Sequence, residues 1–326
     1  AQFNIPVLIG KEENPVLRIC IETQADDKQL ESLSINLDGT PIFELKSVAV
    51  FFGASDSVFR AKNAFGPAID DLNRLKFEGK QSLKSGKNYF WISFQLADDC
   101  DLFERIQVEL EEVVINGEVY QDIHNPGMKL RTGVAVRDHW QDKVHTYRIP
   151  GLETSNKGTL MAIYDVRREF GRDLQGHMDI GLSRSLDGGQ HWEDMQIVLD
   201  MGEYGGLPEK FNGVSDACIL VDRNSDAIYI AGLWMHGVIN EDGKWLENLD
   251  ETSREWNHQW RNKGSQPGLE PRQTSQFIIS KSTDDGLTWS EPVNLTQMCK
   301  DPKWWLWAPA PGHGICLQDG TLVFPT

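Results

Sequence analysis

The sequence predicts an all-β protein in two domains, residues 1–130 and 131–326, and three observations carry that reading. Before about residue 130, apolar residues recur with period two in short runs rich in β-branched and aromatic side chains. No helix-period pattern of useful length competes with them. At Asn125-Pro126-Gly127 and Arg131-Thr132-Gly133, Pro and Gly punctuate the chain where the strand pattern changes character. Beyond that boundary a ten-residue turn motif occurs twice.

The N-terminal strands are expected at Val16–Ile21, Lys46–Phe52, Tyr89–Leu96 and Ile106–Leu110. Turn signals separate them at Leu37-Asp38-Gly39-Thr40, Ser85-Gly86-Lys87-Asn88 and Ile115-Asn116-Gly117-Glu118. Strands of this length and spacing most simply make an antiparallel, jelly-roll-like β-sandwich. The aromatic run Tyr89, Phe90, Trp91 and Phe94 suits its core, with a sugar-binding platform as the functional alternative.

After the boundary, Ser183-Arg184-Ser185-Leu186-Asp187-Gly188-Gly189-Gln190-His191-Trp192 aligns with Ser280-Lys281-Ser282-Thr283-Asp284-Asp285-Gly286-Leu287-Thr288-Trp289, giving S-x-S-x-D-x-G-x-x-W twice. In such a turn an Asp carboxylate accepts from turn amides, a Gly takes positive φ and a Trp covers the hairpin end. Asp187, Trp192, Asp284 and Trp289 are therefore expected to hold turns rather than to touch a ligand. Between the copies, Glu241 to Gln276 is polar and carries Trp245, Trp256 and Trp260, a composition suited to a rim loop flanking a sugar pocket or to a solvated loop. Core packing suits Lys303-Trp304-Trp305-Leu306-Trp307 at least as well as a binding role.

Composition bounds the function. The chain of 326 residues carries 49 acidic against 32 basic side chains, a formal net charge of −17. That balance excludes the clustered Lys and Arg with which proteins hold nucleic acid, so no nucleic-acid partner is expected. It also disfavours an anionic membrane surface. No apolar run approaches the roughly 18 residues of a membrane-spanning helix, and no membrane insertion is expected. Cys20, Cys100, Cys218, Cys299 and Cys316 are scattered and odd in number, without a C-x-x-C pair. They read as buried thiols rather than a zinc site or disulfide framework. The chain opens Ala1-Gln2-Phe3 without Met or a basic-then-apolar leader, as in a mature secreted, periplasmic or cell-surface protein, or equally a trimmed one.

The duplicated motif resembles the Asp box, or BNR repeat, of the bacterial exo-α-sialidase (neuraminidase) superfamily. Tyr147-Arg148-Ile149-Pro150 resembles that family's [FY]-R-I-P motif, and Gly158 to Arg167, Asp173-Leu174-Gln175, Ser215-Asp216-Ala217-Cys218 and Ala310-Pro311-Gly312-His313 follow in the family's order. The similarity extends from about Arg131 to the last residue. The N-terminal part resembles, more loosely, the accessory domain, considered carbohydrate-binding, of gut-bacterial members. The implied fold for 131–326 is the first half of a six-bladed β-propeller, because a closed one at about 40–50 residues per blade needs roughly 250–300 residues. The C-terminal remainder of the propeller, in the same or a nicked chain, is accordingly an expected partner.

The resemblance implies retaining hydrolysis of terminal α-linked sialic acid, with sialylated glycans as ligands and neither metal nor cofactor. Arg148 is similar to the first member of the family's arginine triad, whose planar fork matches the sugar's carboxylate. Arg167, Asp216 and Gln276 are expected as further substrate-binding residues. Asp173 is the expected general acid/base, with Asp165 as rival. A free Asp is ionised at neutral pH, so such an acid needs a raised pKa. Sialidases use a Tyr nucleophile, since the attacked carbon already bears a carboxylate and would repel a second one. None of the tyrosines at 89, 120, 147, 164, 204 and 229 lies in a matching motif. Alternatives are a non-catalytic sialoglycan-binding propeller and a trans-sialidase.

Overall fold

The computed structural model describes residues 1–72, 75–173, 176–237, 246, 258 and 265–326. The chain divides into two compact units, Ala1–Ala135 and Val136–Thr326. The molecule is all-β: the α-helix among the described residues is a single turn, Thr296–Cys299. No described helix is long and apolar enough to cross a membrane.

The first unit contains β1 (Val7–Ile9), β2 (Asn14–Thr23), β3 (Gln29–Asn36), β4 (Leu45–Ala54), β5 (Lys76–Ser82), β6 (Gly86–Leu96), β7 (Arg105–Ile106), β8 (Glu109–Ile115), β9 (Glu118–Tyr120) and β10 (Leu130–Val134). They form three sheets, ordered β2-β6-β4, β5-β3-β8-β9 and β1-β10-β7. Alternation decides which side chains turn inward: Phe90, Ile92, Phe94 and Leu96 of β6 join Leu30, Leu33 and Ile35 of β3 in one hydrophobic cluster. Phe90, Trp91 and Phe94 are buried, Trp91 stacking on Phe3 at 5.8 Å, while Tyr89 is half-buried. The Asn-Gly pair makes the β8–β9 hairpin as its chemistry requires, with φ of 50° at Asn116 and 75° at Gly117. The strand expected over Ile106–Leu110 is instead broken between β7 and β8. There the Thr40 hydroxyl donates to the Gln107 carbonyl at 2.5 Å and accepts from the Gln107 amide at 2.7 Å, replacing ladder partners.

In the second unit, β11 (Thr146–Thr154), β12 (Leu160–Arg167), β13 (Met178–Ser185) and β14 (Gln196–Leu199) form a four-stranded antiparallel meander. A second meander follows from β15 (Asn212–Val221), β16 (Ile228–His236), β17 (Gln276–Ser282) and β18 (Val293–Asn294). The two join where β13 meets β15 in parallel at Met178 and Gly213. Next come β19 (Gly312–His313), parallel to β15, and the hairpin of β20 (Ile315–Cys316) with β21 (Leu322–Val323). Met161, Ile163, Ile180, Leu182, Val214, Ile219, Ile230, Trp234 and Ile278 share a core that spans both meanders.

The two copies of the turn motif sit after β13 and β17 and are built alike. In the first, Asp187 Oδ1 accepts from the Ser185 hydroxyl at 2.9 Å and the His191 amide at 3.0 Å, while Trp192 Nε1 donates to the Gly189 carbonyl at 3.1 Å. In the second, Asp284 Oδ1 accepts from the Ser282 hydroxyl at 2.8 Å and the Thr288 amide at 2.9 Å, and Trp289 Nε1 donates to the Gly286 carbonyl at 3.2 Å. These donors hold both carboxyls below the usual carboxylate range, Asp187 chiefly through the His191 amide and Asp284, at about 2, chiefly through the Thr288 hydroxyl.

Two readings of side-chain placement change. All five thiols are free, but Cys20 and Cys299 are exposed and Cys316 is half-buried; only Cys100 and Cys218 lie inside. Polar strand ends and a helix end leave the first two at the surface. Trp304 and Trp305 are exposed, whereas Leu306 packs on Leu233 and Met235 and Trp307 stacks on Phe277 at 4.3 Å. Trp245, Trp256 and Trp260 lie outside the described residues.

Candidate active site

The candidate site lies where the two meanders join, and strand periodicity explains its composition. Arg148 on β11 stands directly opposite Asp165 on β12. Cross-strand neighbours share a face, as do residues two apart on one strand. Arg148, Asp165 and Arg167 therefore point to the same side of the first meander.

Asp165 and Arg167 are fully buried, at 0 % and 1 % exposure. Arg167 grips Asp165 Oδ2 through Nε at 3.1 Å and Nη2 at 2.8 Å, and its Nη1 donates to the Gly171 carbonyl at 3.0 Å. The second meander completes the shell. The Ser215 hydroxyl donates to Asp165 Oδ2 at 2.8 Å and the Asp216 amide to Oδ1 at 3.2 Å. Burial pushes the Asp165 carboxyl up to about 6, against the opposing pull of Arg167.

Arg167 reaches a second carboxylate, Asp173 Oδ1, at 2.6 Å. The Asp173 side chain is 66 % exposed, so Arg167 joins a buried acid to an open one. Asp216 is half-buried beside them. Its carboxyl is raised first by burial and then by the charge of Asp173, while Arg167 opposes the rise. Arg148 is exposed, and its guanidinium makes no hydrogen bond or ion pair among the described residues. A paired guanidinium thus links a buried carboxylate to an exposed one, and an unpaired guanidinium, Arg148, stands on the same strand face.

Two of the strands that carry the site, β11 and β15, are bulged there. On β11, the two residues between Arg148 and Gly151 face one on β12; on β15, the two between Ser215 and Cys218 face one on β16. Ile149 and Asp216, one residue into each bulge, both have φ of 53°. Positive φ is a genuine outlier for a β-branched residue. Such irregularities re-aim side chains and cluster at functional sites.

Of the residues expected from sequence, the fold brings together Arg167, Asp173 and Asp216, with Arg148 on the same strand face as Arg167. Leu174 and Gln175 of the expected Asp173 motif lie outside the described residues. Gln276 is not brought to the cluster. It is buried at the start of β17, where its Nε2 donates to the Thr274 carbonyl at 2.7 Å and its Oε1 accepts from Asn294 at 2.8 Å, so its polar atoms are spent internally. Sequence reading missed Ser215 as a holder of Asp165, although it directly precedes Asp216. No tyrosine joins the carboxylates. Tyr147 is pushed up to about 12 and Tyr164 is also raised, both mainly by burial, the opposite of what a nucleophilic phenol needs.

Residues 1–119 match the family model described as the N-terminal domain of BNR-repeat neuraminidase, and residues 149–326 match the BNR repeat-like domain. A sialidase of Bacteroides fragilis is 34 % identical across 100 % of this chain and 62 % of its own length. A sialidase of Paraclostridium sordellii is 28 % identical over 65 % of this chain and 46 % of its own. Among solved structures, the Hadza microbial sialidase Hz136 superposes with a TM-score of 0.83 at 32 % identity, covering 98 % of this chain and 64 % of that one. The chain thus spans about three fifths of these two full-length matches.

Proposed function

Since the chain belongs to the BNR-repeat neuraminidase family, we propose that the whole protein is an exo-α-sialidase that removes terminal α-linked sialic acid from glycoproteins, glycolipids and oligosaccharides with retention of configuration. The observation that carries the reading is the Arg167–Asp173 ion pair, set beside Asp216 and on the strand face of an unpaired Arg148. In the same reading the two meanders are the first blades of a six-bladed propeller, the bulged strands β11 and β15 line its axis, and the first unit is an accessory β-sandwich. Two four-stranded meanders joined by parallel contacts support it.

The chemistry follows from the geometry. The exposed fork of Arg148 receives the carboxylate on the anomeric carbon, an ion pair that a glycan without that group cannot make. Arg167, locked by Asp165, holds Asp173 in place while leaving its carboxyl facing solvent. A sugar over Asp173 excludes water there, and the carboxylic acid then protonates the departing glycosidic oxygen. As that C–O bond breaks, a tyrosine supplied by the C-terminal remainder bonds to the anomeric carbon; a water that the Asp173 carboxylate deprotonates then attacks the same carbon and releases the tyrosine, restoring the original configuration. Asp216 accepts from sugar hydroxyls.

Asp173→Ala in the complete protein tests the assignment. Turnover of sialyllactose should fall by about 100-fold or more, the usual contribution of a general acid. An aryl sialoside, whose leaving group needs little protonation, should lose far less. Equal loss on both substrates, or none, would refute the role of Asp173. Sialoside binding by the unmodified protein without any turnover would instead identify a glycan-binding protein, and transfer to an added sugar a trans-sialidase.

A further inference from the structure

A second polar cluster lies on the opposite face of β12 and β13. His177, Asp179 and Asp200 each offer a ligand atom within 4.8 Å of the others. They come from the start of β13 and the residue following β14, so the sheet, not the sequence, assembles them. Asp179 is 1 % exposed. Arg168 holds its Oδ2 at 2.5 Å, but its Oδ1 is buried without a hydrogen-bond donor. His177 Nε2 is likewise buried and without one, standing 3.4 Å from Asp179 Oδ2 and 3.5 Å from Glu209 Oε1. Three carboxylates face one guanidinium and one imidazole here, around an unsatisfied buried oxygen. Buried polar atoms in native proteins are nearly always satisfied, and a lone ionised oxygen is costly.

We propose that His177, Asp179 and Asp200 bind a divalent transition-metal ion of the Zn²⁺ or Mn²⁺ type, with Glu209 at its edge. One imidazole with carboxylates is a mixed N/O donor set that suits such ions better than Ca²⁺, which takes oxygen alone. Ligands at about 2.0–2.2 Å from a shared ion stand at most about 4.4 Å apart, so shifts of a few tenths of an ångström complete the site. Asp200 is exposed and leaves a side open for entry. The ion would fasten β13, the end of β14 and the turn at Glu209. It would also pin the base of the connection carrying Asp173, whose ends meet where the Arg168 amide donates to the His177 carbonyl at 3.3 Å.

The test uses the whole protein, stripped with chelator and dialysed against Zn²⁺, Mn²⁺, Co²⁺ or Ca²⁺. One equivalent of Zn²⁺ or Mn²⁺ should be retained, and Co²⁺ should give a ligand-field spectrum of N/O coordination. Asp200→Asn and His177→Gln, at sites open enough to leave the fold intact, should each weaken retention by at least about 10–100-fold. Asp173→Ala should not. The proposal is overturned by no retention, by equal retention in Asp200→Asn, or by uptake of Ca²⁺ alone that is indifferent to His177→Gln. In those cases the cluster is an ion-pair network with His177 between two carboxylates.

Discussion

Arg167 shows how one side chain can be both buried and functional. It has no solvent, yet its charge is met from inside by Asp165 and from outside by Asp173. Removing a partner from a buried ion pair typically costs about 3–5 kcal/mol, because the remaining charge is left uncompensated. Asp165→Ala should fall near the lower end, about 3 kcal/mol, since Asp173 and the Gly171 carbonyl still serve Arg167; urea unfolding measures it. A loss below about 1 kcal/mol would mean that Asp165 is no anchor. Arg148→Ala, with no internal contacts to lose, should instead leave stability unchanged within about 0.5 kcal/mol while raising the KM for sialosides. The sequence displayed Arg148, Arg167, Asp173 and Asp216 because each sits in a motif readable along the chain. It could not display that Gln276 spends its amide on neighbouring carbonyls, nor that His177 and Asp200, 23 positions apart, converge on Asp179. Those facts arise only when strands pair.

At the scale of elements, alternation and turn chemistry made β2, β4, β6 and the Asn116-Gly117 hairpin legible, and the repeated box located the turns after β13 and β17. What alternation could not anticipate was interruption by a distant group, as when Thr40 takes the backbone of Gln107. Sheet packing also imposes size limits that no local pattern announces. Gly232 on β16 lies where an added Cβ would come within 2.7 Å of Val214 Cγ1 and 3.1 Å of Leu199 Cδ1. Gly232→Ala should therefore cost about 1–3 kcal/mol by overpacking, despite the general benefit of replacing glycine in a strand. Neutral or improved thermal stability would show that the two meanders yield there.

For the whole molecule, acid sensitivity should come from buried histidines as well as carboxylates. Burial lowers His236 to about 4 and His258 to about 3. Each stays neutral in the folded protein while the unfolded chain takes up protons below about 6.5. Stability contributed this way is complete above that value and declines as pH falls toward the folded-state value. From about pH 6.5 to about pH 5 the decline should be roughly 2 kcal/mol per histidine, at about 1.4 kcal/mol per unit. Denaturant melts at the two pH values measure it, and His236→Gln should remove part of the slope; an unchanged slope would count against the argument. The net charge of −17 coexists with Arg148 and Arg167 on one strand face, because the charge felt at one site is set by a few neighbours rather than by the total.

The bulges in β11 and β15 act as phase slips. A regular strand commits every second residue to one side for its whole length, so it must be wholly core or wholly surface on each face. One supernumerary residue lets each strand restart the count: in β15, Val214 and Ile219, five positions apart, share one core while Ser215 and Asp216 between them hold the Asp165 carboxylate. Deleting a single residue within Arg148–Gly151 or Ser215–Cys218 would shorten the strand by one step, but it would also invert everything on one side of the cut, exchanging core for cleft.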